Sequence, residues 1–136
     1  ARVALPLRPE IDLAAEKAGL ADAAIPSTER FNAASEIAWT ERCLAKDTIT
    51  IGRLRMGSLQ MIFMPGELFV EYQLAAQEMA PVDFVCMAAY GDYGPGYIGT
   101  AKSYPEGGYE TGLHTSRTAP EVEGVLMEAM RKLLAR

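Results

Sequence analysis

The chain predicts an α/β fold: a small mixed sheet with a β-hairpin and a βαβ unit, covered by about four helices. Three observations carry that prediction. Leu59-Gln60-Met61-Ile62-Phe63-Met64 is an almost continuous apolar run, and Phe84-Val85-Cys86-Met87-Ala88-Ala89 is a second one. Between them Leu68, Tyr72, Ala75 and Met79 fall at helical spacing, bounded by Pro65-Gly66 and Pro81. Strand, helix and strand joined by tight connections make a βαβ unit, whose two strands are parallel.

The remaining elements follow in chain order. Val3 to Leu7 is a short extended piece closed by Pro6 and Pro9. A helix with Ile11, Ala14, Ala15 and Ala18 on one face ends at Gly19, with Pro26 beyond it. Ser27 or Thr28 is placed to cap a second helix, whose apolar stripe is Phe31, Ala34, Ile37, Ala38 and Leu44, with Trp39 on the same element. From Thr48 the period changes to alternation through Ile49, Ile51, Leu54 and Met56, which is strand spacing. Gly57-Ser58 then supplies a two-residue hairpin turn. A strand apolar on both faces, as Leu59–Met64 is, belongs at the centre of a covered sheet.

Residues 90–112 hold seven of the twelve glycines and five of the six tyrosines, without helical or strand period. A loop this long inside a compact domain is usually functional or disordered, and its aromatic content argues against disorder. Thr118-Ala119-Pro120-Glu121 has the form of a capping box. The closing helix follows, with the stripe Val122, Leu126, Ala129 and Leu133. Arg131, Lys132 and Arg136 suit its C-terminal dipole.

Composition limits the function. At 136 residues, 49% hydrophobic and 23% charged, the chain is one globular domain or a fragment of one. Residues 1–46 form a helical lead-in and residues 47–136 the α/β part. A net charge of −5 is the wrong sign for nucleic acid or an anionic membrane surface. No apolar stretch approaches the roughly 20 residues of a membrane-spanning helix. Cys43 and Cys86 lie in apolar surroundings and are expected to be buried free thiols. No signal segment opens the chain, which starts in mid-pattern and is read as processed or as a piece of something longer.

Ligands in open α/β sheets sit beyond the carboxyl ends of the strands. Two segments lie there: Pro65-Gly66-Glu67 and the tyrosine–glycine loop. Glu67 is the carboxylate at that edge, where a first-turn acid that complements a helix dipole is the simpler role. Tyr90, Tyr93, Tyr97, Tyr104 and Tyr109 either pack the loop or serve a site. His114, the only histidine, reads as a surface imidazole and cannot make a metal site alone. No zinc-spaced Cys/His pair, phosphate loop or Gly-x-Ser-x-Gly is present. The glycines from Gly91 to Gly99 do not match the dinucleotide fingerprint.

At Met64-Pro65-Gly66-Glu67, followed by Tyr97-Ile98-x-Thr100-x-x-x-Tyr104-x-x-x-x-Tyr109-Glu110, the chain resembles the neutral (alkaline, non-lysosomal) ceramidase family. The resemblance covers about residues 48–135. It implies a catalytic zinc held by two histidines, a glutamate and a tyrosine. On this sequence Glu67 corresponds to the glutamate ligand, Tyr104 to the tyrosine ligand and Tyr109 to a further tyrosine close to the site, for which the resemblance implies a catalytic role. The two histidine ligands belong to the family's N-terminal part, so the present residues look like the C-terminal portion of a catalytic domain. By themselves they are expected to hold zinc weakly or not at all.

The function implied is a zinc-dependent amidohydrolase fragment that cleaves a linear amide, lipid-like or otherwise, through water activated by the metal. The partners implied are the missing N-terminal part, or a second copy that buries the same surface. The family is commonly secreted or membrane-associated. A different class of function fits the same residues: a non-catalytic α/β binding or assembly domain that uses the Tyr/Gly-rich loop, since rigid aromatic rings give contact area at low entropic cost.

Overall fold

The computed structural model describes residues 1–91 and 94–135. Its elements run β1 (Arg2–Val3), α1 (Leu13–Ala21), α2 (Ser27–Leu44), β2 (Ile49–Thr50), β3 (Gly52–Met56), β4 (Leu59–Phe63) and β5 (Glu67–Leu68), and then α3 (Val70–Met79), β6 (Phe84–Ala88), β7 (Tyr97–Ile98), α4 (Ser103–Glu106) and α5 (Val122–Leu134). The α/β class holds. The sheets are small, in the orders β1-β2, β3-β4-β6 and β5-β7.

The βαβ unit forms as its apolar runs require. β4 pairs parallel with β6 through Leu59–Phe84 and Ile62–Met87, and α3 is the crossover between them. The hairpin forms as well. β3 and β4 are antiparallel with Met56 opposite Leu59, and Gly57 takes the positive φ of 61° that a two-residue turn needs. β4 is therefore the central strand.

One face of this sheet is covered. Ile62 and Val85 share a core with Tyr72 and Ala76 of α3 and with Leu126 and Met130 of α5. Each of the large aliphatic side chains among them contributes about 1.5–3 kcal/mol by leaving water. The other face carries Leu54, Met61 and Cys86 in one row and Met56, Leu59 and Phe84 in the next. Met56 and Phe84 are 57% and 68% exposed, so β4 is apolar on both faces while only one is buried among the described residues.

The helical lead-in departs from expectation in rotation. Phe31 and Leu44 of α2 are exposed, and the buried face is Ala33, Glu36, Trp39 and Thr40. A buried ion pair between Arg117 Nε and Glu36 Oε1, at 2.9 Å, holds that face inward. The Trp39 indole adds a bond, donating to the Arg117 carbonyl at 3.0 Å. Polar anchoring outweighed the apolar count. In α1 the Asp12 carboxylate caps the helix by accepting from the Ala14 and Ala15 amides, while Ala14, Ala15 and Ala18 face water. Their methyl groups offer too little area to set the face, which Leu13, Glu16 and Leu20 take instead.

Neither expected cap of α2 and α5 forms. Pro26 precedes α2 without a side-chain cap, and Ser27 is already helical. α5 begins at Val122 with no side-chain cap, because the Thr118 hydroxyl is engaged by Tyr104. The stripe of α5 matches at Val122, Leu126 and Ala129 and continues through Met130 and Leu134. Cys43 and Cys86 are free, and each is half-buried rather than buried. Burial still pushes the Cys43 thiol up. The expected roles of Tyr93 and Arg136 lie outside the described residues. Among those described, no helix is long and apolar enough to cross a membrane.

Candidate functional site

The chain leaves β4 at Phe63 and turns at Pro65–Gly66 into β5. Gly66 has φ +63°, and a Cβ there would lie 2.6 Å from the Gly96 carbonyl. Only glycine allows both the conformation and the approach. Three segments interlock at this point. The Glu67 amide donates to the Gly96 carbonyl at 2.9 Å and the Tyr90 amide to the Gly66 carbonyl at 2.8 Å. The Tyr97 amide donates to the Thr115 carbonyl at 2.9 Å and the Arg117 amide to the Pro95 carbonyl at 3.0 Å.

These bonds give the described part of the tyrosine–glycine segment regular structure that its lack of period did not show. It contains β7, which pairs parallel with β5 and sets Tyr97 opposite Glu67. It also contains α4. A two-residue strand is too short to leave a period in the sequence.

The result is a cavity of about 330 Å³ whose walls include Glu67, Tyr90, Tyr97, Tyr109, His114 and Arg117. The Tyr97 and Tyr109 rings meet edge to face with centroids 6.0 Å apart, an arrangement that fixes both. Tyr90 enters the cavity from a left-handed backbone, φ 57°, which disfavours any side chain with a Cβ. Glu67 governs the local titration. Its hydrogen bond to the Tyr90 hydroxyl holds that phenol protonated and pushes it up to about 12. The negative charge of Glu67 also raises Tyr97. At neutral pH both phenols are hydrogen-bond donors beside a carboxylate.

The expected site residues divide. Glu67 and Tyr109 share the cavity. Tyr104 does not line it: its hydroxyl bonds to Ser116 Oγ at 3.0 Å and Thr118 Oγ1 at 2.9 Å, and the Arg8 guanidinium sits over its ring at 5.6 Å. Tyr90 and Tyr97, two of the five loop tyrosines left open between packing and a site, line the cavity, and Arg117 joins them without having been singled out. The signal available for Tyr90 was its place just past the second apolar run. For Tyr97 nothing in the pattern showed the pairing with Glu67. His114 is exposed, as expected, yet it forms part of the wall.

Chemically the cavity offers one carboxylate and phenolic oxygens. Hard oxygen donors suit one side of a zinc shell. Among the described residues no three of His, Cys, Asp and Glu converge as a group able to hold a metal ion. The donor set therefore fits part of a coordination sphere.

No protein-family model matches the chain, and no curated protein matches it. Among solved structures the chain is similar to a ceramidase complexed with C2, at TM-score 0.56 and 18% identity. The match covers 64% of this chain and 14% of that one, so this chain spans a small part of that protein's length. At this identity the likeness concerns the backbone alone, and the fold of this chain is ceramidase-like.

Proposed function

We propose that this chain is part of a zinc-dependent amidohydrolase that cleaves a linear amide, with Glu67 as a metal ligand. The observation that supports the reading is the shared cavity of Glu67, Tyr97 and Tyr109 at the strand ends of a ceramidase-like fold. Tyr97 is the better candidate than Tyr104 for the tyrosine ligand. It stands opposite Glu67, whereas the Tyr104 hydroxyl is taken up by Ser116 and Thr118. The remaining ligands would be the two histidines that the resemblance assigns to the family's N-terminal part.

When bound, zinc lowers the pKa of water to about 7 and so supplies hydroxide near neutrality. The chain's own residues do the rest. Glu67 would hold the cation, and Tyr90 and Tyr97 stand beside it as phenols that are protonated at neutral pH. A phenol that remains protonated donates to the oxyanion that develops on an amide carbonyl. Tyr109 buttresses the Tyr97 ring, and Tyr90 borders the entrance.

The test is zinc content by elemental analysis on the full-length protein. Wild type is expected to hold close to one zinc per chain. Glu67→Ala is expected to lose it, Tyr97→Phe to bind it about tenfold more weakly, and Tyr104→Phe to keep it. Zinc absent from wild type, or retained in Glu67→Ala, overturns the reading. The alternative, a binding domain that presents the exposed rings of Tyr90 and Tyr109, then predicts that those two tyrosines matter and Glu67 does not.

A further inference from the structure

The β3-β4-β6 sheet distributes its side chains in the opposite sense to a sheet with one face in water. Such a sheet turns apolar residues inward and polar ones outward. Here Arg53 and Arg55 of β3 and Gln60 of β4 lie on the covered side. Arg53 Nη1 donates to Gln60 Oε1 at 3.3 Å there, and Gln60 Nε2 donates to Asp83 Oδ2 at 2.7 Å. The open side has three cross-strand rows, the two already named and a third of Gly52, Phe63 and Ala88. Every one of those nine positions is apolar or glycine. An open face of this composition marks a contact rather than a solvated surface.

Its dimensions select the occupant. Three strands span about 10 Å, and the rise from Gly52 to Met56 is about 13 Å. A second copy laid face to face would meet an area on the order of 200–300 Å², well below the roughly 800 Å² per partner of a stable interface. One α-helix, about 10–12 Å across with its side chains, matches the width. A helix of the same polypeptide needs no dimer-sized area, since it loses no translational freedom on docking. The solved ceramidase of similar fold has most of its length outside the matched 14%. We infer that an amphipathic helix of about a dozen residues, from the rest of the same polypeptide, lies along β4 with an uncharged apolar stripe against Leu59, Met61 and Phe63. This rests on the reading of the chain as part of a larger protein and not on the zinc assignment.

Photo-cross-linking in the purified full-length protein tests this. Phe63→p-benzoylphenylalanine and Phe84→p-benzoylphenylalanine put a photoreactive ring at opposite ends of the face, in rows about 13 Å apart. Each is expected to cross-link within its own polypeptide, to one segment outside residues 1–136. The two sites are expected about nine residues apart, as a rise of about 1.5 Å per residue requires. Met56→Cys, at a position 57% exposed in this structure, gives a second readout that needs no bulky ring. Its thiol is expected to react with N-ethylmaleimide at least about tenfold more slowly in the folded protein than in urea, because access falls. Cross-links between two polypeptides would mean a second copy, and sites about four residues apart an extended strand. No cross-link, or a Met56→Cys thiol that reacts at the unfolded rate, would mean an open face. Each of these results overturns the inference. Neither readout involves zinc, so this inference and the metal assignment fail separately.

Discussion

At Gly96 a single hydrogen atom in place of a side chain holds the site together. Its φ is +82°, and a Cβ would drive into the Thr115 carbonyl that accepts from the Tyr97 amide. Gly96→Ala is expected to cost about 2–4 kcal/mol, from the left-handed backbone plus the clash. Urea denaturation measures it, and a loss under 1 kcal/mol would contradict the close packing described. Glu36 gives a second prediction at this scale. Burial raises its pKa above the ordinary 4.5, with Arg117 opposing that effect. The folded state therefore holds this proton more tightly than the unfolded chain does. Stability from the group is present below about pH 4.5 and falls as pH rises through the folded-state value. Glu36→Gln is expected to flatten that part of the stability–pH profile. Arg117→Leu, which leaves the carboxylate buried without its counterion, is expected to lose about 3–5 kcal/mol at pH 7 and to recover part of it on acidification. Thermal melts across pH 4–8 on the three proteins separate these outcomes.

Among the elements, α2 shows how a helix chooses its face. Its pattern offered Phe31, Ile37 and Leu44, but the inward face is Ala33, Glu36 and Trp39. Phe31→Ser is accordingly expected to change stability by less than about 0.5 kcal/mol, whereas Trp39→Ala is expected to cost about 3–5 kcal/mol. Reversal of that order would restore the face that periodicity suggested. α4 has no buried residue, and what ties it down is the Tyr104 hydroxyl between Ser116 and Thr118. Tyr104→Phe leaves those buried hydroxyls short of a partner and is expected to cost about 1–3 kcal/mol. In the zinc measurement above the same variant keeps its metal, so structural and ligand roles for Tyr104 part cleanly. The βαβ unit and the Gly57 hairpin were legible because each rests on local rules: apolar runs of strand length, a helical stripe, and a residue free to take positive φ. The face of α2 was not legible, since the Arg117–Glu36 pair lies 81 positions apart in the chain and outweighs local pattern, and that of α1 was not because alanine methyls are too small to set a face.

For the molecule as a whole, the uncovered face of the β3-β4-β6 sheet sets behaviour in solution. Leu54, Met56, Phe63 and Phe84 lie on it, all of them exposed. An apolar patch of this kind binds hydrophobic dyes and lowers solubility. Replacing Met56 and Phe84 together by lysine is expected to reduce dye binding and raise solubility while leaving the melting temperature nearly unchanged, because neither side chain is buried. A large drop in melting temperature would mean that this face is packed within the chain. Sedimentation of the two proteins over a concentration series shows whether the face also joins copies.

What the sequence by itself determined is the set of elements whose causes are local. These are the parallel β4–α3–β6 unit, the hairpin, the stripe of α5, the Pro65–Gly66 break and the placement of Glu67 at a strand end. They depend on residues within one or two turns of each other, and spacing records such causes directly. Only the tertiary structure decided which tyrosines meet Glu67. Tyr97 reaches it through a two-residue strand pair and Tyr90 through a left-handed backbone, while Tyr104 is drawn off by Ser116 and Thr118. These outcomes hang on backbone bonds between residues 64–68, 88–98 and 114–118, segments that meet only after the chain has folded. A side chain's destination is fixed by the path of distant backbone, and no period in one dimension encodes that path.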